Sequence, residues 1–331
     1  MRRSGRRYRS GRAAEHYDVI VIGSGIGGLS LAALMTKLGK RVCVLEQHYT
    51  AGGFTHSYER EGFEWDVGVH YIGEVHKPHS TLRRLFDVIS DSALKWAPMD
   101  PVYDRIIIGD RRVDFTAGRG ALADNLIAHF PAEEAAIRRY IELIDEAARS
   151  AQKFFAGQAM PRWLGRTYHA ARPLLVPKNC FRSVRDVLEE LTSNQELIGV
   201  LTGQWGDYGM VPRDASFLMH ATVVKHYFGG GSYPVGGSWM IPETIVPVIR
   251  AGGGEVFTYA KVEEIVIEQG RATGVRMANG DILRADQIVS SAGARVTFEQ
   301  LLPVALRESL GYPAKLKQVK TSGAHLCIYA G

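Results

Sequence analysis

An α/β fold built on a parallel sheet is what this sequence predicts, and three features predict it. The first is a short run rich in Val and Ile, Asp18 to Ile22, which reads as a buried strand. The second is the Gly-x-Gly-x-x-Gly that follows at once, Gly23, Gly25 and Gly28, with an apolar helix behind it from Leu29 to Leu38 and Gly39 as its stop. The third is a second strand, Arg41 to Leu45, that ends on Glu46. Strand, turn, helix, strand and terminal acid in this order make a Rossmann-like dinucleotide-binding unit. Gly23 allows the tight turn, Gly25 lets a pyrophosphate approach bare backbone, and Gly28 lets the helix pack on the strand. The helix N-terminus offers free N–H groups to the phosphate. Glu46 stands where a carboxylate hydrogen-bonds a ribose hydroxyl.

Composition bounds the rest. With 331 residues, 46% of them hydrophobic, the chain suffices for about two domains. Its net charge of +5 is local, because six arginines fall within the first 12 residues. Residues 1–15 therefore read as a disordered basic arm, too local for nucleic-acid recognition. No apolar stretch is long enough to span a membrane, and no secretory leader follows the arginines. Cys43, Cys180 and Cys327 have no metal or redox spacing, and Cys43 sits in an apolar strand as a small core residue. No metal site is expected, and a reducing, cytoplasmic setting is.

Beyond Glu46 the pattern narrows. Gly52-Gly53 implies a second close backbone approach to the cofactor, and Asp66-Val67-Gly68 adds a further turn. Glycine cradle, strand-end Glu, Gly-Gly doublet and Asp-x-Gly together resemble the FAD-binding signature of the flavin amine oxidase and phytoene desaturase superfamily. Leu45-Glu46-Gln47-His48, His56, His70-Tyr71-Ile72-Gly73, Gly203-Gln204-Trp205-Gly206-Asp207-Tyr208-Gly209, Met219-His220-Ala221, His226-Tyr227 and Tyr233-Pro234-Val235-Gly236-Gly237-Ser238 are similar to the retinol saturase branch, relatives of carotenoid desaturases and isomerases. The resemblance implies an FAD-dependent oxidoreductase acting on carbon–carbon double bonds of an apolar polyene or isoprenoid, with NAD(P)H open as electron donor and peripheral membrane contact compatible with the substrate. It implies cofactor contacts at Gly23, Gly25, Gly28, Glu46, Gly52, Gly53 and Asp66, and at Val262, whose backbone would meet the adenine.

The remaining elements follow in order. Residues 16–75 form the first FAD-binding segment, 76–229 an inserted α+β substrate domain, 230–297 the second FAD-binding segment and 298–331 a return to the substrate domain. Ala132 to Phe155 has the periodicity of an amphipathic helix. Phe154, Phe155, Met160, Trp163, Leu164, Tyr168, Leu174 and Leu175 alternate with Lys153, Arg162, Arg166, Arg172 and Lys178, a mixture suited to a membrane surface. Pro161, Pro173 and Pro177 break any long helix there and favour ordinary buried structure. Pro242 to Ala251 reads as a helix, Glu255 to Thr258 and Lys261 to Glu268 as strands, and Gly274 to Met277 with Asp281 to Leu283 as a hairpin over Asn279-Gly280. Gln287 to Ser291 closes the sheet, and Ala324 to Ala330 resembles the start of a strand. Family members carry a further glycine-rich segment near their C-terminus, so the chain is expected to be truncated.

The flavin carries the hydride in such enzymes, so few catalytic side chains are required. His70, His220 and Tyr71 are the expected proton donors or polar anchors, since histidine titrates near neutrality. His56, Trp205, Tyr208, His226 and Tyr227 are the expected lining of an apolar channel. Saturation of one double bond, as in a retinol saturase, is the favoured reaction; carotenoid or phytoene desaturation and isomerisation would use the same apparatus. A non-catalytic isoprenoid-binding escort is the rival of another class, and amine oxidation a third reading.

Overall fold

The computed structural model of the chain describes residues 3–68, 71–157, 160–324 and 326–330. The chain runs through β1 (Arg6–Arg7), β2 (His16–Ile22), α1 (Ile26–Lys37) and β3 (Val42–Leu45). The hairpin of β4 (Ser57–Arg60) and β5 (Phe63–Asp66) and the short β6 (Ile72–Gly73) follow. An inserted region holds α2 (Thr81–Ile89), β7 (Trp96–Pro98), β8 (Val102–Ile108), β9 (Arg111–Thr116), α3 (Arg119–His129), α4 (Glu134–Ala156) and α5 (Arg162–Leu175). It continues through α6 (Val184–Glu189), α7 (Gln195–Leu201), α8 (Trp205–Tyr208) and α9 (Phe217–His226) to β10 (Gly231–Pro234). The chain then returns by α10 (Met240–Ala251) to β11 (Glu255–Thr258), β12 (Val262–Glu268), β13 (Arg271–Met277) and β14 (Ile282–Ser290).

A seven-stranded sheet in the order β1-β11-β3-β2-β14-β13-β12 organises the molecule. Its first five strands are parallel and the last three form an antiparallel meander. Both faces of the parallel part are covered, which is why its central runs, Val19–Ile22 and Val42–Leu45, are apolar without a break. Val19, Val21, Val42, Val44 and Val256 face α1 and α10, while Ile20, Ile22, Cys43, Leu45 and Phe257 face a second cluster with Val275 and Leu283. Strand order reverses at β2, so the crevice at its carboxyl end, where Gly23 and Gly25 lie, is the place such a sheet binds a ligand.

The inserted region has its own core. On α4, Ile137, Ile141, Ile144, Ala147 and Ala151 form the buried stripe that the periodicity predicts. Between the two bodies lies a three-stranded sheet, β6-β10-β7. Residues 231–234, expected to open the second cofactor segment, thus pair with β6 and β7, and the chain re-enters the cofactor core at α10. Residues 298–331 do not simply return to the insertion either. Leu301 and Leu302 pack on the meander core, and contact with the insertion comes later, where Gly323 N–H donates to Gly209 O at 2.8 Å.

Three further expectations are corrected. The basic arm is not disordered over Ser4–Ser10: Arg6–Arg7 adds to the open edge of β11, Ser4 Oγ donates to Glu243 (2.8 Å), and Tyr8 OH donates to Asp281 (2.7 Å). Composition records charge, but strand addition uses backbone groups and is blind to it. The stretch around Pro173 is not broken; α5 runs for 14 residues, because Pro161 occupies its N-cap, Pro173 falls in its last turns and Pro177 lies beyond it. Finally, residues 324 and 326–330 form no strand; Tyr329 instead packs on Tyr58 and Trp65 of the β4–β5 hairpin, and its OH donates to Asp66 O at 3.1 Å.

Candidate cofactor and substrate site

The glycine turn is a built cradle. Gly23 adopts φ +95°, and its N–H donates to Leu45 O at 2.8 Å, tying the turn to the neighbouring strand. A Cβ on Gly28 would lie 2.2 Å from Gly23 O, so α1 approaches β2 as closely as only glycine permits. A Cβ on Gly25 would meet nothing within 4 Å. That residue is the N-cap of α1, without a side-chain cap and without an acid in the first turn. The helix therefore presents unclaimed N–H groups and its positive end to open space, the arrangement that binds a pyrophosphate.

The second glycine pair closes the cradle from the other side. Gly52 bridges Gly25 backbone to backbone and adopts φ +122°, while a Cβ on Gly53 would lie 2.9 Å from Gly25 Cα. Glu46 stands beside both: its Oε2 accepts from Ser24 N (2.9 Å) and Ser24 Oγ (2.7 Å), and its Oε1 accepts from His48 N (2.8 Å). Ala260 N–H donates to Glu46 O at 2.7 Å, which brings the start of β12, and with it Val262, next to the acid. Cradle, Glu46 and the strand expected at the adenine thus converge. The residues present fit a dinucleotide such as FAD. Asp66 has a different local task, accepting from Ser238 Oγ and holding the Gly236-Gly237 turn against β5.

The expected proton donors divide. His70 lies outside the described residues. His220 is fully buried in the helical core, with Tyr140 OH 2.9 Å from Nε2 and Tyr208 OH 3.2 Å from Nδ1. Both ring nitrogens are engaged by tyrosine hydroxyls inside the helical core, an arrangement that gives His220 a packing role and lends its expected catalytic role no direct support. Burial pushes its pKa from 6.5 down to about 3. The unfolded chain binds a proton on this ring below 6.5 whereas the folded chain does so only near 3, so stability falls as pH drops through that window. Between pH 7 and pH 5 the protein is expected to lose about 2 kcal/mol more in urea unfolding than His220→Gln does. Equal losses would remove this account of the residue.

Tyr71 is placed differently. It directly precedes β6, is half-buried, and its OH donates to Asp104 Oδ2 at 3.1 Å. Burial first, then the Asp104 charge, holds the phenol far above its ordinary range, so it stays protonated as a hydrogen-bond donor and is a weaker acid than a free phenol. Tyr227 packs edge-on at 4.8 Å between ring centroids, and Tyr103 stacks on Tyr227 at 5.8 Å. Gln204 Nε2 also donates to Asp104 Oδ2 (3.2 Å), while its buried Oε1 has no partner among the described residues.

The five expected lining residues do not form one wall. His226 and Tyr227 share a cavity of about 690 Å³ lined by the polar Glu74, Lys77, Asp207 and Thr222 and by the apolar Ala148, Ala151 and Val223. His226 Nε2 accepts from Gly73 N at 2.7 Å and so fixes β6 against α9. Tyr208 turns toward His220, Trp205 is 39% exposed, and His56 sits beside Gly53, its Nδ1 2.5 Å from Gly53 O. Sequence reasoning missed Ser24 and Asp104. Ser24 lies 22 positions before the Glu46 it holds, and Asp104 lies 33 positions after Tyr71, so neither pair leaves a local signal.

Comparison with known proteins agrees with this geometry. Residues 21–89 match a family described as an NAD(P)-binding Rossmann-like domain. The all-trans-retinol 13,14-reductase of Danio rerio is 37% identical over 97% of this chain and 54% of its own length, and that of Homo sapiens 36% identical over 95% and 53%. A Danio rerio relative named an inactive all-trans-retinol 13,14-reductase is 30% identical over 98% of this chain and 55% of its own. Prolycopene isomerase 2 of an Oncidium hybrid cultivar is more distant, 28% identical over 88% of this chain and 51% of its own. Among solved structures, an oxidoreductase from Methanosarcina mazei superposes with TM-score 0.63 at 18% identity, covering 91% of this chain and 65% of that one. Putrescine oxidase bound to putrescine gives 0.57 at 18% over 87% and 60%, and RAB GDI from Plasmodium falciparum 0.53 at 16% over 85% and 66%. These structural likenesses establish the fold. The chain spans about half the length of the curated relatives it matches, and along nearly the whole of its own length it is similar to the all-trans-retinol 13,14-reductases.

Proposed function

We propose that this protein is an FAD-dependent oxidoreductase that saturates one carbon–carbon double bond of an apolar polyene of the retinoid class. The observation that carries the reading is the open, uncapped glycine cradle with Glu46 and Gly52-Gly53 converging on it. When bound and reduced, FAD would supply the hydride. Gly25 and the α1 N-terminus would hold the pyrophosphate, Glu46 would take a ribose hydroxyl, and the backbone at Val262 would meet the adenine. Tyr71, kept protonated by burial and by Asp104, gives a proton to the carbon beside the one that receives the hydride. One hydride and one proton add across the bond, and the product gains two hydrogens. NAD(P)H is the reductant to test first. Because a polyene dissolves in lipid, the reading includes peripheral contact with a membrane.

The similarity to a relative named inactive means that likeness alone does not carry activity, and RAB GDI has the same broad fold. Colour separates the classes. The purified protein is expected to retain a flavin that absorbs blue light and bleaches with dithionite. A colourless protein that binds isoprenoids would favour the escort reading instead.

A further inference from the structure

The segment Ala147–Arg182 contains seven Lys and Arg residues and no Asp or Glu, more positive charge than the whole chain's net +5. The fold gathers it into a helical hairpin, the end of α4 followed by α5. Glycines close the hairpin's corner: a Cβ on Gly157 would lie 2.6 Å from the ring of Tyr168. On α5, Gly165, Tyr168, Arg172 and Val176 face inward, whereas Trp163 (72% exposed) and Leu174 (91%) lie three turns apart on the outer side. Phe155 and Phe181 are also about half exposed. Among the described residues, Lys153, Arg166, Arg172 and Lys178 have no ion-pair partner.

One feature goes beyond an amphipathic surface. Arg172 and Lys178 line a recess of about 190 Å³ with Pro173, Val176 and Phe181. The Arg172 guanidinium stacks between Phe154 (5.0 Å) and Phe181 (5.3 Å), and its Nε is buried without a hydrogen-bond partner among the described residues. A guanidinium held between two aromatic rings, next to a second cation and apolar walls, is complementary to a phosphate diester that carries acyl chains. No helix among the described residues is long and apolar enough to cross a membrane, so contact of this kind is interfacial.

We infer that the α4–α5 hairpin docks on an anionic phospholipid surface, with a lipid phosphate in the Arg172–Lys178 recess and Trp163 and Leu174 among the acyl chains. Charge complementarity selects this occupant: Lys153, Arg166, Arg172 and Lys178, without an ion-pair partner among the described residues, suit an anionic leaflet, and the exposed aromatic and aliphatic side chains suit its interior. The assignment rests on the proposed peripheral membrane contact but not on the redox chemistry, so it is read by binding alone.

The test is co-sedimentation of the intact protein with vesicles of one part phosphatidylserine to two parts phosphatidylcholine, against phosphatidylcholine alone. Binding to the mixed vesicles, weakened by salt, is expected. The double variant R172Q/K178Q should bind roughly 25-fold more weakly, the loss of two surface cations. W163S/L174S, whose positions are exposed enough to leave the fold intact by circular dichroism, should also lose affinity. Either variant binding as well as the parent overturns the assignment, as does equal binding to neutral vesicles. Capture by free poly-glutamate or inorganic phosphate without vesicle binding would overturn it in favour of an acidic protein or a free anion. Loss of flavin or of turnover with vesicle binding intact would strike the proposed function alone.

Discussion

Gly25→Glu is expected to abolish flavin retention while leaving the fold in place. The residue sits at φ −59°, which any side chain adopts, and its missing Cβ faces open space, so the substitution meets no steric barrier. It does place a carboxylate at the helix N-terminus where the pyrophosphate belongs. Two like charges about 4 Å apart near a protein surface repel by ~4 kcal/mol, which corresponds to roughly a thousandfold weaker FAD binding. Fluorescence titration with FAD measures the affinity, and a thermal melt within a few degrees of the parent shows that folding is unaffected. A variant that keeps its flavin as tightly would remove the cradle from the account.

Tyr71→Phe is expected to spare the flavin and cripple the reaction. The substitution keeps the ring that packs on Tyr227 and deletes only the hydroxyl that donates to Asp104. A positioned proton donor contributes about 10²–10⁴-fold to rate, so kcat for polyene reduction should fall by that order with the flavin spectrum unchanged. Reduction of the flavin by its electron donor precedes protonation and should proceed at the parental rate. If kcat survives, the proton comes from another group; His70, beside it in sequence, is then the first candidate.

The cofactor half of the molecule was legible because its determinants are local. Gly23, Gly25, Gly28 and Glu46 each act on backbone or ligand within one βαβ unit, and the strands on either side are apolar because α1 and α10 cover one face and the meander core the other. The substrate half was far less legible. His220 stood in a family-like block, yet its partners Tyr140 and Tyr208 come from other helices, and only their convergence shows that both nitrogens are used inside the core. Tyr71 was named from the same kind of block, but what distinguishes it is Asp104 on β8. The arm and α5 misled for opposite reasons. Charge in the arm concealed a backbone pairing with β11, and prolines around α5 suggested a break where they mark its ends. In each case the deciding interaction joins residues far apart in sequence, or depends on where a proline falls within a turn.

The central claim is that the glycine cradle serves reduction of a polyene double bond. Anaerobic incubation of the reduced, flavin-loaded protein with all-trans-retinol, followed by mass analysis of the extracted product, tests it most directly. The account predicts a product two hydrogens heavier, formed in step with reoxidation of the flavin. An unchanged mass with a shifted absorption would mean isomerisation and contradict the proposed reaction. No product from retinoids or carotenoids, with the flavin still reduced, would contradict the substrate class itself.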